Sequence, residues 1–532
     1  MDSTASRQLL EYLRRATATV CLAGGMLLST QLYAQSAPIW TDAVSFGGSG
    51  TDNGQAVKVD SAGHRYVTGD FSATASFPLQ ALAPGAAQHA PAHRSLTSAG
   101  GMDIFLAKYD ETGNLRWVIQ AGGTQDDQGF DIGFDKAGNV YLAGMFFDSA
   151  TFRGTDGATK TVSGVGETIF LAKYTPAGVL VWLQTGATGF DSSNNAFGVA
   201  VEPVTGSVYI TGITQGDTTF SSANHTTHVV AGPGSWHMFL VKFDTNGNFK
   251  WGQYNAADGN TVAHKVAVDA NNNPYVVGWM EGDTTFHSSD GHDLTVHGFS
   301  NPFLGPFDDF PDDAYIAKYD ANGNLRWVNH LGGYKAIATD VATSPDGKVT
   351  VTGFVGNVTF APATTATSQP GGNNINLGGG TLTVPYNKDV FITTYDGAGV
   401  LLDARRYGGA ENDGGSGVAY DSQGKLFVAG IFESSTLKID RATLTANDPS
   451  NLFVAKFAPN GQAHGAANTL VWAKAADGPG LGDFENDPRL GVTAQGDVVV
   501  TGPYEPTAVF RGFRLNTSGA DDGFLSLLGP AP

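Results

Sequence analysis

The chain has 532 residues, of which 41% are hydrophobic and only 15% are charged, and its formal net charge is −20 at pH 7. This acidic balance argues against nucleic acid and anionic membrane surfaces as partners, because both carry negative charge. The single cysteine, Cys21, excludes a disulfide framework. Abundant glycine and few charges are typical of a secreted β protein rather than of a disordered chain.

Residues 1–34 predict a secretory signal peptide. Arg14 and Arg15 precede a mostly apolar stretch from Ala16 to Tyr33, and Ala34 suits a signal-peptidase site. The length and flanks of this stretch fit a cleaved signal better than a membrane span. We therefore expect a mature chain of residues 35–532 that is secreted or displayed at the cell surface, with no membrane insertion.

Four short strand signals recur along the mature chain. The first is an apolar run that ends in an acid, such as Val266-Ala-Val-Asp269, and the second resembles Tyr66-Val-Thr-Gly69. The third is Phe105-Leu-Ala-Lys-Tyr109, and the fourth is Asn114-Leu-Arg-Trp117, which runs into a Gly-Gly pair. Short runs of β-branched and aromatic residues bounded by Gly, Asn and Asp are typical of strands and turns. These signals predict an all-β fold.

The tryptophans give the number of repeats. They recur at intervals of similar length, except that the interval before the last is about double, and counting places Asp403 at the missing mark. The full series is Trp40, Trp117, Trp182, Trp251, Trp327, Asp403 and Trp472. Four antiparallel strands repeated seven times predict a seven-bladed β-propeller with four-stranded blades.

The repeated phrase resembles the bacterial seven-bladed β-propeller repeat (SBBP) family, in the form found in secreted proteins of Bacteroidetes. The resemblance rests on the Val-Ala-Val-Asp, Ile-Phe-Leu-Ala-Lys-Tyr-Asp and Gly-Asn-Leu-Arg-Trp motifs and covers essentially the whole mature chain. It implies that the Val-Ala-Val-Asp strand is innermost in each blade and that the Trp strand is outermost. It implies no catalytic residues, because the family shares none.

The two ends of the mature chain predict how the ring closes. The chain begins with a strand of the outermost type at Pro38-Ile-Trp40 and ends with a strand of the third type at Phe524–Leu527. The N-terminal strand would then complete the last blade and remove an open sheet edge.

The connections between second and third strands are long and variable. Together with the connections from outer to inner strands, they define what we call the loop-rich face, at one end of the blades. Binding residues concentrate on variable loops held by a rigid scaffold. The insertions span approximately residues 73–101, 148–166, 217–236, 283–312, 357–388, 434–450 and 505–521.

Carboxylates follow the Gly-Gly pairs where the chain enters the innermost strands. Asp52, Asp127, Asp191 and Asp413 are expected to ring the mouth of the axial channel. They would either cap turns or bind a divalent cation, and calcium is the cofactor that such oxygen ligands suit. A glycosidase would instead need one specific carboxylate pair at a set separation.

Two further motifs have both a structural and a metal-binding interpretation. The Asp-x-x-Gly-Asn turns at Asp110, Asp244 and Asp320 resemble fragments of calcium loops, but turn capping is the favoured interpretation. His287, His292 and His297, spaced by five residues, would ligate a metal or decorate a solvated loop. The solvated loop is favoured.

The sequence thus predicts a secreted, non-enzymatic scaffold whose loop-rich face binds an extracellular protein or glycan. One alternative is an extracytoplasmic carbohydrate-active hydrolase or lyase that uses carboxylates near the channel mouth. Another is an adhesion or surface-layer component. We expect a monomer without a nucleic-acid partner.

Overall fold

The computed structural model describes residues 38–81, 92–189, 193–232, 234–298, 312–332, 335–356, 387–459, 468–476, 488–510 and 512–530. The predicted signal peptide lies outside these residues. Trp40–Gly529 form one compact unit, whereas the second unit, Met1–Ile39 with Pro530–Pro532, lies almost wholly outside the described residues. All secondary-structure elements in the described part of the chain are β-strands, which confirms the all-β class. The described residues form no helix that could span a membrane.

The strands from the N-terminus onward are β1 (Ile39–Gly48), β2 (Asp52–Val59), β3 (Arg65–Phe71), β4 (Thr74–Pro78), β5 (His93–Thr97), β6 (Asp103–Tyr109), β7 (Leu115–Gly122), β8 (Gln128–Phe134), β9 (Val140–Arg153), β10 (Thr159–Tyr174), β11 (Leu180–Ala187), β12 (Asn195–Val201) and β13 (Val208–Gln215). The next are β14 (Thr218–Ser221), β15 (Thr227–Val230), β16 (Trp236–Phe243), β17 (Phe249–Ala257), β18 (Thr261–Val268), β19 (Pro274–Glu281), β20 (Thr284–Phe286), β21 (Leu294–Val296), β22 (Asp312–Tyr319), β23 (Leu325–Leu331), β24 (Ala336–Thr343) and β25 (Val349–Val355). The last are β26 (Asp389–Tyr395), β27 (Leu401–Tyr407), β28 (Asp413–Tyr420), β29 (Leu426–Phe432), β30 (Thr436–Ile439), β31 (Ala442–Thr445), β32 (Asn451–Ala458), β33 (Thr469–Ala476), β34 (Arg489–Val492), β35 (Val498–Tyr504), β36 (Thr507–Phe510), β37 (Phe513–Asn516) and β38 (Asp522–Gly529).

These strands form antiparallel groups of four, which we call modules. Each module contains a first, second, third and fourth strand in spatial order. The modules are 1 (β2-β3-β6-β7), 2 (β8-β9-β10-β11), 3 (β12-β13-β16-β17), 4 (β18-β19-β22-β23), 5 (β24-β25-β26-β27), 6 (β28-β29-β32-β33) and 7 (β34-β35-β38-β1). In module 7 the N-terminal strand β1 lies beside the C-terminal strand β38.

A β-bulge interrupts the pairing of the first strand at the same place in several modules, for example around His264, Thr339 and Ser416. The extra residue reaches the neighbouring module. The Thr339 hydroxyl donates to the Gly415 carbonyl at 2.7 Å, and the Ser416 hydroxyl donates to the Pro488 carbonyl. The bulges therefore join successive first strands.

The Lys and Trp of the repeated phrase also join modules. Lys108 Nζ and Trp117 Nε1 of module 1 both donate to the Pro176 carbonyl of module 2, each at 3.3 Å. Lys108 also lies over the Tyr66 ring. We call this arrangement the latch. It recurs on the carbonyls of Thr245 (Lys173 and Trp182), Ala321 (Lys242 and Trp251) and Gly397 (Lys318 and Trp327).

Trp40 does not occupy a latch position, so its use as the first mark of the period is wrong by two residues. Alignment on the Gly-Gly pairs matches Asp42, not Trp40, with Trp117. Asp42 lies beside Leu527, whose N–H donates to Asp42 Oδ1 at 3.1 Å. The Trp40 ring instead packs edge-on against Phe510 at 4.9 Å between ring centroids.

Several insertions are hairpins rather than irregular loops, which sequence reasoning did not foresee. Hairpin β4–β5 pairs with β1, β14–β15 with β11, and β20–β21 with β17, while the outer part of β9 pairs with β7. Each of these flank hairpins pairs beside the fourth strand of the preceding module and so widens the sheet of that module. The expected insertion at 357–388 lies almost entirely outside the described residues.

Candidate functional site

The carboxylates predicted at the channel mouth lie in corners where the fourth strand of one module turns into the first strand of the next. Asp52 accepts a hydrogen bond from Gly48 N at 2.8 Å. Asp127 accepts bonds from Gly123 N at 2.7 Å and Phe147 N at 3.0 Å. Asp413 accepts a bond from Gly409 N at 2.7 Å. All three side chains are fully buried and cap their own turns.

A second carboxylate, which sequence reasoning missed, lies in each of these corners. It is the first residue of the third strand, and the pairs are Asp52 with Asp522, Asp127 with Asp103, and Asp413 with Asp389. We call them corners 7, 1 and 5 after the module that supplies the second acid. The signal that could have revealed these acids is the Asp at position 103, immediately before the Ile-Phe-Leu-Ala-Lys-Tyr phrase.

The paired acids explain one glycine of the Gly-Gly motif. A Cβ on Gly47 would lie 2.6 Å from Asp522 Oδ1 and 3.0 Å from Asp52 Oδ2, and the φ of Gly47 is +145°. Only glycine leaves room for both carboxyl groups in this backbone conformation.

Burial dominates the titration of these acids. It raises the pKa of Asp52 and of Asp127 to about 7, with hydrogen bonds from Gly48 and Gly123 opposing the shift. It also raises the pKa of Asp413 and of Asp522 to about 6. The neighbouring acid of each pair raises the pKa of Asp52, Asp127 and Asp413 further, because two like charges repel.

The corners differ in what faces the second acid from the fourth strand. In corner 5 Arg406 Nε donates to Asp389 Oδ2 at 2.5 Å, whereas in corner 1 Gln120 donates to Asp103. The matching residue in corner 7 is Ser45, whose hydroxyl bonds the Tyr504 hydroxyl at 2.6 Å.

Three of the four carboxylates predicted to ring the channel mouth lie among the described residues. Asp191 lies outside the described residues, and each of the other three acids caps its own corner. Within the described ranges, no group of three or more His, Cys, Asp or Glu side chains is placed to hold a metal ion. Calcium binding by the ring therefore stays a prediction.

The other two motifs make local contacts. Asp110 accepts hydrogen bonds from Thr112 N at 2.9 Å and Asn114 N at 2.8 Å. Burial by itself would raise the pKa of Asp110, but the hydrogen bonds outweigh it and lower that pKa to about 2, as expected for a turn cap. The three spaced histidines each contact a different acid, in the pairs His287–Asp293, His292–Asp290 and His297–Asp283.

A charged cluster that the sequence did not reveal lies along the first strands. Lys265 Nζ is 3.1 Å from Asp131 Oδ2 and donates to the Phe197 carbonyl at 3.1 Å. Asp340 Oδ2 accepts a bond from Val418 N of the next module at 2.8 Å. These groups are engaged by neighbouring backbone, so they bind modules together.

A surface hollow of about 560 Å³ lies beside Arg405 and Tyr407. Asp440, which is the carboxylate among its described lining residues, accepts hydrogen bonds from both residues, at 3.0 Å from Arg405 Nη1 and 2.9 Å from Tyr407. Arg405 also donates to Asp403 at 2.9 Å. Asp403, at the position of the repeat Trp, thus lies beside Arg405. The hollow holds no pair of free acids among its described lining residues.

Residues 116–145 match the model of the beta-propeller repeat family SBBP. The chain is 26% identical over 273 residues to an uncharacterized WD repeat-containing protein of Acanthamoeba polyphaga mimivirus, a match that covers 45% of this chain and 19% of that protein. It is 28% identical over 211 residues to the regulatory protein FlaEY of Caulobacter vibrioides, with 39% and 20% covered. The chain thus spans about a fifth of the length of these curated relatives.

Two solved structures resemble the chain more distantly. The WD40 domain of Neurospora crassa Pan2 has 8% identity and a TM-score of 0.34, with 92% of this chain and 97% of that chain covered. The intramolecular trans-sialidase of Ruminococcus gnavus has 8% identity and a TM-score of 0.35, with 90% and 94% covered. Scores this low carry no conclusion about fold or activity.

Proposed function

We propose that the chain forms a closed seven-bladed β-propeller that acts outside the cytoplasm as a non-enzymatic scaffold for an extracellular protein or glycan. The match of residues 116–145 to a propeller repeat supports the fold. The contacts between first strands support closure, because β2, β8, β12, β18, β24, β28 and β34 touch in that order and β34 also touches β2.

Exposed apolar side chains at one flank hairpin support a binding role. Val229, 63% exposed, lies in hairpin β14–β15, and Trp236, 39% exposed, is the first residue of the next strand, β16. Exposed apolar and aromatic side chains on a rigid support are typical of protein and ligand contacts. Pairing with β11 holds this hairpin rigidly on the module edge.

The acids of the corners favour a scaffold over a hydrolase. A glycosidase needs one carboxylate pair open to substrate. Here comparable pairs occur in three corners, and Asp52, Asp103, Asp127, Asp413 and Asp522 are all at least 99% buried beneath the chain. Such quasi-equivalent, enclosed pairs suit a structural role.

Binding to defined probes tests the function. The mature chain, residues 35–532, is applied to an array of purified bacterial-envelope and host-surface glycans and to a panel of extracellular matrix proteins. Calorimetry then measures each positive probe. We expect saturable binding that weakens about tenfold or more when Val229→Ser and Trp236→Ser are combined.

Val204→Ser is the matched control. Val204 is 80% exposed but lies in the short turn between β12 and β13, away from the hairpins, so its change should leave affinity intact. Absence of saturable binding would refute the scaffold, and shortened oligosaccharides in the incubated glycans would support the hydrolase or lyase instead.

Closure has a separate test. Removing residues 35–48 deletes β1, which should lower the melting temperature markedly because β38 loses its neighbour and module 7 gains an open edge. An unchanged melting temperature would contradict closure without bearing on ligand binding.

A further inference from the structure

We propose that corner 7 is a cation site in which Asp52 and Asp522 together bind one calcium ion. This site differs from the ring predicted from the sequence. Its second ligand, Asp522, begins β38, the third strand of module 7, whereas the ring consists of acids where the chain enters the first strands. The site ties the N-terminal strand β1 and the first strand of module 1 to the C-terminal strand β38.

Each of the two acids buries one carboxylate oxygen that has no hydrogen-bond partner among the described residues. Asp52 is 0% exposed and Asp522 is 1% exposed. Asp52 Oδ2 accepts from Gly48 N, and Asp522 Oδ2 accepts from Ser518 N at 2.8 Å. Neither Oδ1 atom has a hydrogen-bond partner among the described residues. A buried carboxylate oxygen without a partner is costly, and a bound cation would satisfy both.

The two carboxyl groups converge on one point. Asp522 Oδ1 and Asp52 Oδ2 both border the space beside the Gly47 Cα, and the Gly48 N–H interacts with both acids. The charged groups that act most strongly on this pair are Asp70 and Asp521, which are also negative. The local charge is therefore negative when these acids are ionised, which favours the binding of a cation.

In corner 5 an arginine supplies the positive charge beside the paired acids. There the Arg406 guanidinium lies against Asp389, which occupies the position that Asp522 has in corner 7. Ser45 replaces Arg406 in corner 7, and its hydroxyl is engaged by Tyr504. One copy of the corner thus carries its own cation, whereas corner 7 has the acids without the arginine.

The ligand chemistry selects calcium. Carboxylate oxygens are hard ligands, and calcium tolerates irregular shells that backbone carbonyls and waters complete. Magnesium demands a near-ideal octahedron, which a corner built from three chain segments is less suited to supply. Extracellular calcium sites of modest affinity have dissociation constants of roughly 10⁻⁴–10⁻³ M.

Thermal unfolding of the full chain at pH 8, in EDTA and in rising calcium, tests the site. We expect the melting temperature of the wild type to rise with calcium concentration and that of Asp522→Asn to be insensitive. Asp389→Asn in corner 5 is the matched control and should keep the response. No response in the wild type, or an equal response in Asp522→Asn, would overturn the proposal.

Terbium luminescence gives a readout that does not depend on a destabilised variant. Tyr504 pairs with Asp522 across β35 and β38, so terbium in the site should be sensitised by this ring. Tyr504→Phe should fold, retain the calcium-dependent melting shift and lose most of the sensitised emission. Undiminished emission in Tyr504→Phe would place the ion elsewhere. A wild type stabilised only by acidic pH would show that a shared proton, not a cation, joins the acids.

Discussion

Arg65 and Asp42 form a buried ion pair, with 2.8 Å between Arg65 Nη1 and Asp42 Oδ2. Arg65 is only 1% exposed, and its Nη2 also donates to the Glu111 carbonyl at 3.0 Å. Glu111 matches Pro176, the latch acceptor of module 2. At the junction of modules 7 and 1, therefore, an arginine and an acid replace the lysine and tryptophan of the latch. Burial raises the pKa of Asp42, and the Arg65 charge opposes that shift.

Loss of this ion pair should destabilise the chain strongly. Arg65→Ala leaves a buried carboxylate without its partner, a change that typically costs about 3–5 kcal/mol of unfolding free energy. Arg116→Ala is the control, because the Arg116 side chain is 60% exposed and its pair with Asp110 should contribute about 1 kcal/mol or less. Urea unfolding measures both. Equal losses would contradict the special role of Arg65.

The latch should depend on both the ring and the N–H of its tryptophan. Trp117 is 7% exposed, so Trp117→Ala should cost about 3–5 kcal/mol through lost packing. Trp117→Phe keeps a ring and loses the hydrogen bond to Pro176, which should cost about 1 kcal/mol more than packing changes alone. Trp236→Ala, at an exposed position, provides the control for loss of an indole. A Trp117→Ala protein as stable as this control would show that the latch contributes nothing.

Restoring the repeat tryptophan at position 403 should be harmful. Asp403 is bonded to Arg405, which also donates to Asp440 and to the Asn468 carbonyl. Asp403→Trp removes a charge-assisted bond from this network and should cost about 1.5–3 kcal/mol. Asp403→Asn, which keeps the shape, should cost less. A stabilised Asp403→Trp in chemical denaturation would mean that the site still accommodates the latch.

Stability should fall as pH rises from about 5 to 8. The pKa values of Asp52 and Asp127 are about 7 in the folded protein and near 3.8 when unfolded, so the folded state holds protons that the unfolded state releases. Their favourable contribution is present below pH 4 and disappears as pH passes through about 7. Asp110 and the buried His264 have lowered pKa values, so their contributions have the opposite sign. Denaturation in EDTA is therefore compared most directly between about pH 6.5 and 8, above the range in which these two groups contribute.

Asp127→Asn isolates one of these groups. Asparagine mimics the protonated acid and still accepts the Gly123 N–H, so this variant should show a smaller decline in stability with pH. Asp126→Asn, at the exposed position next to it, serves as the comparison. An identical pH profile in Asp127→Asn and the wild type would remove Asp127 from the explanation.

Sequence patterns predicted the elements but not the partners of individual side chains. Alternating apolar residues around Lys108 and Trp117 predicted strands, since this period depends on residues close in the chain. Their shared acceptor, Pro176, is 59 positions beyond Trp117. The insertions were predicted as loops because short, polar runs such as His93–Thr97 gain their strand geometry only by pairing with a module edge.

What the sequence alone determined is the all-β class, the repeat period, the Gly-Gly corners and the turn caps such as Asp110. Each depends on backbone preferences of neighbouring residues, which a local motif records directly. Only the tertiary structure decided that Asp52 meets Asp522 and that Arg65 meets Asp42. Asp52 and Asp522 come from opposite ends of the chain, and Asp42 and Arg65 come from strands of different modules. Packing of the modules places each pair together in a buried site, and no local pattern encodes that packing.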